Sequence, residues 1–236
     1  PIKGVHPEGT EVSALEHLLE GKKTIPVEKG IFLASTWRMH PDICFFDSEM
    51  FYESRLHSIQ GLENHKIEGN TQFIGSGLYY KAVEHEGNTN LSLEEINEVE
   101  KIVQELTKGD VFWYDEKNIK KVLVANDIKI ITPYNSNVFE MQKRIPNVAI
   151  GTVDKFQGQE APVVIYSLAS SSPEDAPRGM EFLYSPNRLN VAVSRSKAMF
   201  IMVGNTRLFE PDCKSPIQIK LANPFCRFIE LTQFVP

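Results

Sequence analysis

Cysteine is scarce in this chain of 236 residues, with three copies at positions 44, 213 and 226 and no Cys-x-x-Cys pair. That spacing gives no sign of a zinc site or a disulfide framework and leaves reduced thiols as the expectation, with no metal site. Positive charge is also in deficit: Lys and Arg total 25 against 31 Asp and Glu, a net charge of −6. No global field draws the chain to nucleic acid, so any such contact has to be local. No apolar run reaches membrane-spanning length, and Pro1-Ile2-Lys3-Gly4 carries no basic and apolar leader, so a cytoplasmic location with no membrane partner is expected. The missing initiator methionine is the pattern of a piece cut from a longer protein. Missing too is any Gly-x-x-x-x-Gly-Lys-Ser/Thr segment, and with it the backbone cradle that would hold a nucleotide's phosphates.

What is present describes a folded domain. Hydrophobic residues make up 42% and charged residues 24%, ordinary for one α/β domain with a sizeable core. From Asp127 onward, apolar strands alternate with helices: strands at 128–132, 148–152, 163–169 and 200–204, helices at 136–144 and 187–195, and a terminal helix within 217–234. Continuous apolar strands of this kind indicate a parallel sheet covered on both faces. Upstream, 12–19 has helical spacing, 31–34 reads as a buried strand, and Pro41 opens a helix running to about Leu56 with Ile43, Phe46, Met50 and Phe51 inward. Residues 58–90 are less regular. Ser92 and Glu95 suggest a capping box, with Leu91 stapled onto Ile96, for a helix ending at Gly109. Ser170 to Gly179 is the longest loop.

Several segments carry chemistry. Arg188 and Arg195, seven residues apart on one predicted helix, would share a face about 10 Å apart along the axis, with Leu189, Ala192 and Val193 buried opposite. Arg38 follows a predicted strand, at the carboxyl edge where open α/β sheets place ligands. Its neighbour Trp37 reads equally as a stacking surface or a core aromatic, and His40 as a structural hydrogen-bonding residue. In Gln157-Gly158-Gln159-Glu160 the glycine permits a turn, the glutamine offers donor and acceptor, and the glutamate is an acceptor-only carboxylate. Thr132-Pro133-Tyr134 and Thr152-Val153-Asp154 end successive strands on one edge, where hydroxyls and free amides hold phosphates without reading sequence. A further pattern, Asp110 with Asp115-Glu116-Lys117, loosely mimics a metal-dependent nuclease, but such short patterns recur by chance and it reads better as a polar turn.

Gly151-Thr152-Val153-Asp154-Lys155-Phe156-Gln157-Gly158-Gln159-Glu160 resembles motif V, and Arg188-Leu189-Asn190-Val191-Ala192-Val193-Ser194-Arg195 motif VI, of superfamily 1 helicases of the Upf-like branch. Trp37-Arg38-Met39-His40-Pro41 is similar to motif IV, with tryptophan in place of the usual tyrosine. His6-Pro7-Glu8-Gly9, the 171–179 segment and Leu221-Ala222-Asn223 resemble a bacterial subgroup fused to a RecB-like nuclease. The resemblance implies a second RecA-like domain with a three-layer α/β fold. Its implied roles are Arg195 and Arg38 as catalytic phosphate contacts, Glu160 as ribose acceptor, and Gly158, Gln157, Arg188 and Trp37 around the nucleotide. Thr132, Pro133, Tyr134, Thr152 and Asp154 would hold single-stranded DNA, and Asn137 stands where the family usually has glutamine. ATP with Mg²⁺ is the implied cofactor; its phosphate loop and Mg²⁺ ligands belong to a missing first RecA-like domain, without which this chain is expected to be inactive. The alternative is a noncatalytic nucleic-acid or protein-docking module of the same fold.

Overall fold

β-Branched and aromatic residues crowd the apolar runs of this chain, and in the computed structural model, which describes residues 18, 19 and 21–235, those runs become strands. In chain order the elements are β1 (Ser35–Thr36), α1 (Pro41–Phe51), β2 (His57–Ser58), β3 (Lys66–Gly69), β4 (Gly77–Ala82), α2 (Leu93–Leu106), β5 (Val111–Tyr114), β6 (Lys120–Val122), β7 (Ile128–Ile131), α3 (Asn135–Arg144), β8 (Ala149–Gly151), β9 (Ala161–Ser167), α4 (Met180–Leu183), α5 (Pro186–Val193), β10 (Ser196–Gly204), α6 (Pro216–Leu231) and β11 (Gln233–Val235). Six strands form one sheet in the order β11-β4-β10-β9-β7-β8, every pairing parallel.

Alternate side chains feed two cores. Tyr166, Phe200 and Met202 point to the layer holding α1, α4, α5 and α6. Ile165, Ile201 and Val203 point to the layer of α2, α3 and a small antiparallel sheet, β3-β5-β6. A parallel sheet must bury both faces, which explains why its strands carry no polar alternation. This is the three-layer α/β architecture expected from the sequence.

The differences are local. No strand forms at 31–34: Ile31 and Leu33 are exposed, and the two-residue β1 pairs only with β2, outside the main sheet. The irregular reading of 58–90 misses β4, a strand inside the main sheet, because glycine flanks its short apolar run. α1 stops at Phe51 instead of Leu56, since Glu53 and Ser54 take left-handed φ values of 54° and 59°. β11 follows the terminal helix and pairs with β4. His6-Pro7-Glu8-Gly9 and most of the predicted 12–19 helix lie outside the described residues; Leu18 and Leu19 are helical.

Candidate functional site

The register of the central strands sets the site. Ser196 at the start of β10 pairs with Ala161 at the start of β9, and Ala161 N donates to Arg195 O at 3.0 Å. Glu160 and Arg195, each one residue before its strand, are therefore neighbours. Arg38 joins them from 122 residues away: its Nε donates to Glu160 Oε2 at 2.7 Å and its Nη1 to the Ser194 carbonyl at 2.6 Å. His40 N donates to Lys197 O, and Lys197 Nζ meets Glu160 Oε1 at 2.7 Å. Three distant segments thus converge, but at the amino edge of the sheet. The expectation of a carboxyl-edge Arg38 fails because β1 does not belong to that sheet.

Burial opposes ionisation of Glu160, yet the hydrogen bonds from Arg38 and Lys197 prevail and hold its carboxyl below the usual range. Burial first, then the adjacent Arg38 charge, pulls Arg195 below its ordinary value. Arg195 Nη1 reaches the Gln159 carbonyl only at 3.5 Å, and its Nε is buried with no hydrogen-bond partner. An unsatisfied guanidinium N–H is a donor still in want of an acceptor. Beside it opens a cavity of about 370 Å³ lined by Trp37, Arg38, Asp47, Tyr52, Glu160 and Ser194, among others. Trp37 is 79% exposed, which rules out the core-aromatic reading and leaves its ring free to stack. Gln157 and Gly158 are exposed in the turn before Glu160, and Gly158 takes φ +78°.

Helix capping holds this corner in place. His40 Nδ1 accepts from Asp42 N at 3.1 Å as the N-cap of α1, with Pro41 at the first helical position, and His40 Nε2 lies 3.1 Å from Ser76 Oγ. Its role is structural, as expected. Two further side chains belong to the site. Lys197 stands two residues after Arg195. Asp47 interrupts the apolar stripe of α1, four residues after Ile43; it is fully buried, and neither carboxylate oxygen has a hydrogen-bond partner. Burial drives its pKa well above the usual range, with Arg38 only partly opposing. A carboxylate on a helix's apolar face was the signal available in the sequence.

Arg188 does not join Arg195. α5 ends at Val193, so Arg195 lies in the turn beyond it and the shared ridge is not formed. The expected burial of Leu189, Ala192 and Val193 is seen. The Arg188 guanidinium instead sits 4.0 Å from the Phe182 ring centroid, and Phe182 packs on Tyr134 beyond the carboxyl end of β7.

At that carboxyl edge the two predicted strand-contacting corners differ. Thr132, Pro133 and Tyr134 are buried. Asn137, also buried, donates through Nδ2 to Thr132 Oγ1 at 3.0 Å and Ser167 Oγ at 3.2 Å, and accepts from Ser92 N. Its amide is spent inside the fold, and the Thr132-Pro133-Tyr134 corner offers no free surface. Thr152 is half-buried and Asp154 exposed, so this corner alone stays accessible. Nor does the capping box form. Ser92 caps α2 by accepting from Glu95 N, but the Glu95 carboxylate turns inward to Ser167 Oγ at 2.6 Å, Ala169 N at 2.9 Å and His85 Nε2 at 2.9 Å. The nuclease-like pattern is a turn: Asp115 accepts from Lys117 N and Ile119 N and pairs with Lys121. Among the described residues no three His, Cys, Asp or Glu gather at metal-binding distance.

All three cysteines are free, and among the described residues no helix is long and apolar enough to cross a membrane. The chain is 29% identical over 206 residues to the human 3'-5' exoribonuclease HELZ2 and 29% identical over 195 residues to helicase sen1 of Schizosaccharomyces pombe. Those alignments cover 75% and 76% of this chain but only 7% and 11% of those proteins. A solved C-terminal domain of a possible DNA helicase from a Lactobacillus superposes with a TM-score of 0.44 at 12% identity, over 84% of this chain and 98% of that one. A family model described as an AAA domain matches residues 10–207, most of the chain, which therefore belongs to the AAA domain family.

Proposed function

We propose that this chain is the second RecA-like lobe of an ATP-dependent superfamily 1 helicase acting on DNA, in a parent that also carries a RecB-like nuclease. One observation carries the reading: Arg38 and Glu160 line one cavity with an exposed tryptophan beside them, and Arg195, which follows the lining residue Ser194, is tied to the same corner through Ala161 N; the three come from three motif-like segments. Those residues fit an adenine nucleotide. Glu160 accepts from ribose hydroxyls, Trp37 stacks on the base, and the arginines meet phosphate oxygens, with the orphaned Arg195 Nε gaining the acceptor it lacks. A nucleotide with its Mg²⁺ would supply the transferable phosphoryl group. This lobe's part is to stabilise charge spreading over the phosphate oxygens, while the phosphate loop and Mg²⁺ ligands come from the first lobe. The chain alone hydrolyses ATP negligibly on this reading.

The test is steady-state ATP hydrolysis by the parent protein, with and without single-stranded DNA. Arg195→Ala is expected to lower kcat by roughly a thousandfold or more, the scale of an arginine finger, while single-strand binding persists. A rate indifferent to DNA and to Arg195 would remove the motor reading and favour a docking module.

A further inference from the structure

At the carboxyl edge of the sheet two arginines share one aromatic ring. Arg178, exposed in the loop after β9, lies 4.3 Å from the Phe182 centroid, and Arg188 of α5 lies 4.0 Å from it. Phe182 is itself propped by Tyr134, centroid to centroid 5.4 Å, and the Tyr134 hydroxyl is held by Ser170 Oγ. Among the described residues neither arginine forms an ion pair with a carboxylate, although Glu174, Asp175 and Glu181 lie close in sequence and Asp175 is engaged by Ser172. In a chain of net charge −6, two unneutralised guanidiniums fixed on one ring are a local exception. Stacking holds a guanidinium by its face and leaves its N–H edge for a phosphate oxygen, which two free lysines would not do. The patch shares its edge with Thr152, the accessible strand-end hydroxyl, since Thr132 N binds Gly151 O across β7 and β8, and Val153 packs in the same core as Leu189 of α5.

We propose that Arg178, Phe182 and Arg188 form a clamp for the backbone of single-stranded nucleic acid, doing the work for which the buried Thr132-Pro133-Tyr134 corner is unavailable. The occupant is a strand rather than the nucleotide, because Arg188 and the Arg38-Glu160 cluster lie at opposite ends of α5. The proposal rests on the reading of the chain as a nucleic-acid motor lobe.

It is tested by fluorescence anisotropy on the chain itself, with a short labelled oligothymidylate and the matching oligouridylate, across a salt series. Arg178→Gln with Arg188→Gln is expected to weaken binding about tenfold or more and to reduce the slope of log K against log salt by about 1.4, the share of two phosphate contacts on a single strand. Phe182→Leu keeps the apolar packing and removes the ring, and should weaken binding severalfold with the slope reduced less. Lys101→Ala, on the exposed face of α2, controls for loss of charge, and circular dichroism with thermal melting confirms folding of each variant. The lysine pair Arg178→Lys with Arg188→Lys serves if the glutamine pair unfolds: it should retain the slope and lose affinity. Wild-type binding unchanged in the paired variants overturns the clamp and leaves the motor reading intact. A wild-type chain that binds neither oligonucleotide overturns both. Preference between the two oligonucleotides assigns the strand to DNA or RNA.

Discussion

Two glutamates in this chain meet similar numbers of partners and have opposite fates. Glu95 and its partner His85 have fully buried side chains, and the carboxylate is satisfied by Ser167, Ala169 N and His85. Ser171 completes the set: its Oγ accepts from Asn88 N and lies 2.7 Å from His85 Nδ1, while His85 Nε2 lies 2.9 Å from Glu95 Oε1. Glu160 has two partners where Glu95 has three, its side chain is 41% exposed, and both partners are cations. The Glu95 network is closed and rigid; the Glu160 cluster is open, and beside it lie an unpaired Arg195 Nε and an unpaired Asp47. Saturated polar networks specify shape, and unsaturated ones are where a ligand is recognised.

Breaking the closed side should have the larger effect on stability. Glu95→Ala leaves Ser167, Ala169 N and His85 without their common acceptor and should cost about 3 kcal/mol or more, read from the urea midpoint; a loss under about 1 kcal/mol would mean the network is dispensable. Asp47 sharpens the comparison from the other direction. Its carboxyl binds a proton more tightly folded than unfolded, so stability is fully present below the ordinary carboxylate range and is lost as pH rises from there through the raised folded value. Asp47→Asn removes that loss. It should gain about 1–3 kcal/mol at neutral pH, shrinking toward zero near pH 4, and a gain independent of pH in thermal melts would refute the assignment. The smallest stability effect belongs to Glu160→Gln, within about 1 kcal/mol because the pairs are partly exposed. Its expected signature is weaker nucleotide binding by the parent, followed by titration calorimetry; a large drop in melting temperature with affinity intact would place Glu160 with Glu95.

Much of this was legible in the sequence, and the misses share a cause. Strands buried on both faces announce themselves as largely apolar runs, so β9 and β10, and β7 despite Lys129, were readable. So was the convergence of Arg38, Glu160 and Arg195, through the resemblance of their segments to known motifs. Local pattern failed where a distant partner decided the outcome. Glu95 sits correctly for a capping box, but the carboxyl end of β9 offers Ser167 and an Ala169 N–H at φ 65°, and burial there outcompetes a surface cap. Arg188 has helical spacing to Arg195, but the helix ends two residues early. Tyr134 and Asn137 look like contacts for a strand until α2 and the loop after β9 close over them. Lys197 and Asp47 went unassigned because their roles exist only once β10 and α1 lie side by side.

The sheet order also dictates a timetable. β4, at residues 77–82, has β10 and β11 for neighbours, both formed from chain made more than a hundred residues later. Arg38 waits 122 residues for Glu160 and 156 for the Ser194 carbonyl. During synthesis from the amino terminus, β4 therefore has no strand to pair with until β10 emerges, whereas β3 finds β5 much earlier. The arginine cluster cannot assemble before the chain is made through Ser194 and Arg195, so its appearance reports that the starts of β9 and β10 have come together.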